Sequence, residues 1–281
     1  MEFNPDVLLR GASMLALYIA LFLVAKYLKR LLTPYCIDRE LTSSDNAAQA
    51  TSLAGYYAGF TAIFCGAYLG PSTGLWMDLL LVGGYSLMGM VLLNLSRVLN
   101  DRFILHTFSV AGAIKDNHNK AAGAIQGANY IGSALVVAGA IHGEGGGIVS
   151  ALVFYAIGQV ALLIFSRLYE WMTPYVIQQE IENDNLAAGL GFGGTFVAIG
   201  LIIMGSVKGD FVSWTDNLSW LGVNLLGVFI YLIVVRFFFD KVVISRDDLN
   251  KEIAEDRNTG AGLLEFAVAV SFATVLYFMI G

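Results

Sequence analysis

Asn119-Lys120-Ala121-Ala122-Gly123 and Asn185-Leu186-Ala187-Ala188-Gly189 each stand at the head of a long apolar run, and Asn258-Thr259-Gly260-Ala261-Gly262 heads another. A looser copy, Asn46-Ala47-Ala48-Gln49-Ala50, heads a fourth. Asn46, Asn119, Asn185 and Asn258 occupy N-cap positions, where an amide oxygen accepts a bond from the unpaired N–H groups of a first helical turn. Nine and thirteen residues beyond each Asn come the pairs Gly55 and Gly59, Ala128 and Gly132, Gly194 and Ala198, and Ala267 and Ser271. Small residues four apart let helix backbones approach closely in a bilayer, so the sequence predicts one packing register shared by four helices.

A larger repeat contains this one. Thr33-Pro34-Tyr35-Cys36-Ile37 returns 140 residues later as Thr173-Pro174-Tyr175-Val176-Ile177, and Trp76-Met77-Asp78 returns as Trp214-Thr215-Asp216. Arg97 with Asp101-Arg102 is answered by Arg236 with Asp240-Lys241. The chain therefore reads as a tandem duplication, residues 1–143 and 144–281, of a unit of four helices.

Composition agrees with a membrane setting. Of 281 residues 57% are hydrophobic and 14% charged, with mean hydropathy +0.69, against about a quarter charged in soluble domains. Eight runs are long enough to span a hydrocarbon core: Leu8–Leu28, Ala47–Leu69, Leu75–Ser96, Ala121–Ile141, Ile148–Leu168, Leu186–Val207, Trp214–Val235 and Gly260–Ile280. Pro5, Pro34, Pro71 and Pro174 all fall outside them, so continuous helices are expected. The fold class is an all-α integral membrane protein, eight transmembrane helices forming four parallel hairpins in two homologous four-helix units.

Short and long connections alternate. Of the 16 Lys and Arg, all but Arg10 and Lys208 lie on the side of the long connections. The positive-inside rule puts that side in the cytoplasm and both termini outside. The acidic start, Glu2 and Asp6, lacks the basic segment of a cleavable signal, so the first span is expected to stay as an anchor. Trp76 and Trp214 open their spans at the outer interface, where indoles anchor.

The Thr-Pro-Tyr step, the Asn-x-Ala-Ala-Gly helix start and the duplicated four-helix unit together resemble the YjfL-like bacterial inner-membrane family, a domain of unknown function. The resemblance covers nearly the whole chain as two tandem units. It implies a bacterial inner-membrane location, and, since some members carry one unit, that a pair of units is the working assembly, here fused. The Gln49-containing first copy and the terminal Tyr277-Phe278-Met279-Ile280-Gly281 depart from the pattern.

Intramembrane polar groups are few and invite functional suspicion. Gln126 and Glu265 share one repeat position, seven after the Asn, where the other two copies have Leu53 and Phe192. Asn129 lies close by on the same run as Gln126, and like Asn94, Gln159 and Asn224 it suits interhelical hydrogen bonding. Gly189–Gly194 mimics a glycine-rich phosphate loop, but lies within a span and follows no strand. His106, His118 and His142 are scattered, and Cys36 and Cys65 make neither a disulfide framework nor a zinc set. No catalytic motif, metal site or cofactor is expected, and the acidic balance, net −6, argues against nucleic acid. The expected partners are the lipid bilayer, a cytoplasmic or membrane protein, and further copies in a homo-oligomer.

Two functions remain open. Repeat symmetry about the membrane normal, with Gln126 and Glu265 matched, suggests a channel or carrier for an ion or small solute. Uninterrupted helices and sparse intramembrane charge suggest instead a non-transporting scaffold that docks partners through its long cytoplasmic connectors, with Tyr35 and Tyr175 as exposed contacts. The orientation is checked directly: alkaline phosphatase fused after Gly281 should be active in a bacterial host, and an inactive fusion overturns the outside assignment.

Overall fold

The computed structural model describes residues 5–70, 72–143, 145–243 and 248–280; Glu2, Pro71, Arg246 and Gly281 lie outside the described residues. The described chain is helical throughout, with no strand. Eight long helices run Pro5–Leu32 (α1), Ala47–Tyr68 (α3), Leu75–Phe103 (α4), Lys120–Ile141 (α6), Gly147–Met172 (α7), Leu186–Val207 (α9), Trp214–Phe238 (α10) and Thr259–Ile280 (α12). Short helices α2 (Ile37–Thr42), α5 (Val110–Asp116), α8 (Ile177–Glu182) and α11 (Leu249–Ala254) interrupt the four long connections. Seven of the long helices are long and apolar enough to cross a membrane. The eighth, α3, matches α6, α9 and α12 in length at 22 residues, but Gln49, Thr51, Ser52 and Thr61 dilute its hydropathy.

Each short helix is held by an apolar pair at i and i+4. Ile114, Ile177, Ile181, Leu249 and Ile253 are all buried, the i,i+4 spacing putting both members on one helix face. After α10 the chain tightens into a π-helical turn, Phe239–Val243, and Leu249 and Ile253 of α11 pack with Phe239.

α3, α6, α9 and α12 form a row in which each helix packs, parallel and in register, on the next. A Cβ at Gly59 would stand 2.8 Å from the Tyr130 carbonyl oxygen, one at Gly189 2.9 Å from Cα of Ala121, and one at Gly139 2.9 Å from Cα of Met204. Gly55 meets Gly127, Gly200 meets Gly132 and Gly194 meets Phe266 backbone to backbone. Ala128 touches Gly193, and Ala198 is fully buried. Ala267 and Ser271 differ from the expectation. Both are exposed, because positions nine and thirteen face the following helix of the row and no helix among the described residues packs on that face of α12. Outer helices α4, α7 and α10 lie over the seams α3–α6, α6–α9 and α9–α12, with α1 beside α4.

The four asparagines stitch this row at one end. Asn46 Oδ1 accepts from Gln49 N at 3.0 Å, Asn119 from Ala122 N at 2.7 Å, Asn185 from Ala188 N at 3.3 Å and Asn258 from Ala261 N at 3.3 Å. Each is preceded by a residue of left-handed backbone, Asp45, His118, Asp184 and Arg257, with φ of 47°, 49°, 56° and 49°. Three asparagines also reach the next repeat with the amide group: Asn46 donates to the Ile114 carbonyl at 2.8 Å, Asn119 to Ile181 at 2.7 Å and Asn185 to Ile253 at 2.7 Å. Each residue thus caps its own helix and pins the connector of the next repeat. An aspartate would cap equally well but has no N–H to donate.

Backbone contact makes a methyl group decisive. Gly200→Ala should lower stability by about 1–3 kcal/mol through overpacking against Gly132. Gly222→Ala, whose new Cβ meets nothing within 4 Å, should be neutral or raise stability by up to about 1 kcal/mol through helix propensity. Thermal unfolding in mild detergent separates the two.

Candidate functional site

Gln126, Glu265 and Asn129 are not brought together; each enters a different polar cluster. The first lies in unit one, toward the end of α1, α3, α4 and α6 where the long connections lie. Lys29, 3% exposed, donates to the Tyr130 hydroxyl, and its ammonium lies 4.6 Å and 5.4 Å from the ring centres of Tyr130 and Tyr56. Such cation–π contacts strengthen when desolvated. Arg97 Nε pairs with Asp101 Oδ2 at 3.3 Å, one helical turn apart on α4. Ser52 Oγ donates to Gln126 Oε1 at 2.7 Å, and Tyr35 OH donates to Gln49 Oε1 at 2.6 Å.

The second cluster is its repeat counterpart in unit two. Arg236 Nη1 meets Glu265 Oε1 at 2.7 Å and the Tyr169 hydroxyl at 3.2 Å, while Nη2 donates to Asn250 Oδ1 at 2.5 Å. Tyr169 OH donates to the same Glu265 oxygen at 2.5 Å, with its ring stacked on Phe192 at 5.7 Å. Glu265 is 4% exposed, and its other oxygen, Oε2, is buried without a hydrogen-bond partner against Gly191. A cavity of about 10 Å³ bordered by Tyr169, Thr195, Tyr231, Arg236 and Glu265 adjoins it, room for one water molecule.

The two clusters use equivalent positions with the charges moved. Arg97 corresponds to Arg236, Lys29 to Tyr169 and Gln126 to Glu265. In unit one the arginine takes its carboxylate from Asp101, one turn on. In unit two the counterpart, Asp240, lies in the π-helical turn and pairs with Lys241 at 2.8 Å, leaving Arg236 for the carboxylate on α12. Tyr35 and Tyr175, expected to be exposed, are half-buried, and Tyr175 turns toward the Glu265–Arg236 pair. Burial pushes the Tyr35 phenol up to about 12 and raises that of Tyr175 too, so both stay protonated donors at neutral pH.

The third cluster is deeper, at the seam between units. Asn100 Nδ2 donates to Asn129 Oδ1 at 2.5 Å and to Ser133 Oγ at 3.0 Å, and Gln159 Nε2 donates to Asn100 Oδ1 at 2.7 Å. Beside it Ser96 Oγ and Tyr155 OH are 2.9 Å apart. This is interhelical hydrogen bonding. No group of His, Cys, Asp and Glu suited to a metal occurs among the described residues, and Cys36 and Cys65 are free thiols.

Sequence reading missed Lys29, Arg97, Asp101, Tyr169 and Arg236 as site residues, because all stand near span ends, where the four charged ones count with the connections. The signal was present in the duplication: the arginines recur, and so does the position shared by Gln126 and Glu265.

Fold and clusters together define a multi-pass helical membrane protein built from two tandem units. The chain belongs to the family described as Domain of Unknown Function (DUF350), which matches residues 4–141 and again 144–280. It is 24% identical over 254 residues to a UPF0719 transmembrane protein of Aquifex aeolicus, covering 87% of this chain and 90% of that one. The UPF0719 transmembrane protein YshE of Bacillus subtilis is 25% identical over 129 residues, 46% of this chain and 91% of its own. The UPF0719 inner membrane protein YjfL of Escherichia coli is 29% identical over 118 residues, 42% of this chain and 83% of its own. The last two thus span about one unit. No solved structure matches the chain.

The buried pair in unit two sets a stability test. Removing one partner of a buried ion pair strands the other, so Arg236→Met or Glu265→Leu alone should cost about 3–5 kcal/mol, whereas the double variant should recover most of it. Unfolding in detergent reads all three, and additive losses would show that the two groups do not act as a pair.

Proposed function

We propose that this protein is a channel or carrier for an ion or small solute, with the unit-two cluster as the place where the moving species meets the protein. The observation that carries the reading is the Glu265 carboxylate: buried within a membrane-spanning helix, paired on one oxygen, unpaired on the other, and beside a cavity of water size. Ionisable groups at such depth are costly and by default mark a pathway or a proton relay. Arg236 and Tyr169 hold Oε1, so Oε2 is free to take a proton, a small cation or a solute donor without dismantling the pair. A cation on Oε2 weakens the hold of Arg236, which links occupancy to the end of α10 and, through Asn250, to α11. The reading needs no cofactor and no covalent chemistry.

In the same reading the protein sits in a bacterial inner membrane with both termini outside, and the clusters open toward the cytoplasm. A second reading, a scaffold that docks partners on its cytoplasmic face, is favoured by one observation: Trp171 and Val176 flank the second Thr-Pro-Tyr step and are 83% and 52% exposed.

Purified protein in liposomes should pass protons, a monovalent cation or a small solute, with the flux lost in Glu265→Gln and kept in Gln159→Ala. Unchanged permeability across a broad panel would sink the transport reading and leave the scaffold.

A further inference from the structure

The row of helices has a direction, and its two ends are different. Positions nine and thirteen after each Asn face forward: Gly55 and Gly59 onto α6, Ala128 and Gly132 onto α9, Gly194 onto α12. Positions four, eight and nineteen face back: Gly123 onto Ala48, Gly193 onto Ala128, Met204 onto Gly139. On α12 the forward positions, Ala267 and Ser271, are exposed; on α3 the backward positions, Ala50, Ala54 and Cys65, are exposed. Each end is one half of a junction that the chain makes three times internally.

The outer layer gives the same answer independently. α7 seats on unit one by bonding Tyr155 OH to Ser96 Oγ and, at 3.2 Å, to the Leu92 carbonyl, and by laying Gly158 on Val136. The unit-two counterparts of Leu92, Ser96 and Val136 are Tyr231, Val235 and Val275. Those three line an open apolar groove of about 560 Å³ between α10 and α12. The counterpart of α7 is α1, which carries Leu15 and Ile19 where α7 has Tyr155 and Gln159. Both are exposed, 59% and 52%. Inside the chain, polar α7 residues meet Ser96 and Asn100; at the ends, apolar α1 residues match the apolar groove lined by Val235, Phe272 and Val275.

We propose that the chain associates head to tail with a second copy of itself, α12 and α10 of one copy receiving α3 and α1 of the next. The junction repeats the internal one in register. Asn258 bonds Glu252 through its amide at 2.6 Å, and its second N–H is directed in the repeat toward the connector carbonyl that Asn46, Asn119 and Asn185 each reach. In the assembly that acceptor is the carbonyl of Leu41 in the second copy, the counterpart of Ile181. Phe278 replaces Gly66, Gly139 and Gly205 at the outer end, so the junction splays there. The contact is heterologous, and it closes into a ring or continues as a row according to its rotation.

Cysteine crosslinking of the full chain in membranes tests this. In a Cys36→Ser/Cys65→Ala background, Ala54→Cys with Ala267→Cys should give reducible dimers and higher species on oxidation, since facing small residues bring Cα atoms within disulfide range. Each single variant should give none, and the two singles coexpressed should give a dimer and no ladder. Absence of crosslinks in the folded double variant, or a dimer from Ala267→Cys alone, overturns the proposal. In parallel, Ala267→Trp should at least halve the protein mass measured by light scattering without lowering the melting temperature. A monomer mass for the unaltered chain, with lipid in the groove, overturns it as well.

Discussion

Everything in this fold hangs on the parallel contact of α3, α6, α9 and α12. Lipid tails are as apolar as leucine, so helices in a bilayer gain little by hiding apolar side chains from one another and must instead be held by close packing and by polar bonds. The row supplies both. Glycine and alanine at the register set by each asparagine bring backbones together, as at Gly55 with Gly127 and Gly200 with Gly132. Outer helices can then lie over the seams.

The asparagines convert a packing preference into a defined register. A sliding pair of small-residue stripes has several acceptable positions, four residues apart. Capping by Oδ1 fixes where each helix begins, and the amide fixes that beginning against the connector of the next repeat, so only one offset satisfies both ends of the side chain. The left-handed residue before each Asn turns the chain sharply enough for both bonds to form.

Much of this was legible in the sequence, and the reason is periodicity. Spans, duplication, helix starts and the small-residue register all repeat, so one copy checks another. What escaped was whatever depends on direction or on depth. The pair Ala267 and Ser271 obeys the register perfectly yet stays exposed among the described residues, because a register says which face a residue lies on and not whether a neighbour exists. Lys29, Asp101 and Arg236 read as cytoplasmic charge because they sit near span ends, while α2, α5, α8 and α11 and the connectors around them bury those ends. The short helices were themselves legible as apolar pairs, Val110 with Ile114 and Leu249 with Ile253, each ending five residues before the asparagine, with Ile177 and Ile181 one residue nearer to theirs.

Divergence between the two units is as informative as their likeness. After duplication the same seam occurs once inside the chain and, in the proposed assembly, again between copies, and identical seams would let units pair in the wrong order. The internal seam carries Asn100, Asn129, Ser133 and Gln159 in one hydrogen-bonded network, whereas the equivalent positions elsewhere are Phe239, which α11 covers, and Val268, Phe272 and Ile19. A polar residue facing an apolar one in the bilayer loses its partner, so each half-seam rejects the other kind. The same divergence frees the unit-two cluster to change: with Asp240 drawn into the π-helical turn, Arg236 is available to Glu265, and a structural arginine becomes the counter-ion of a buried acid.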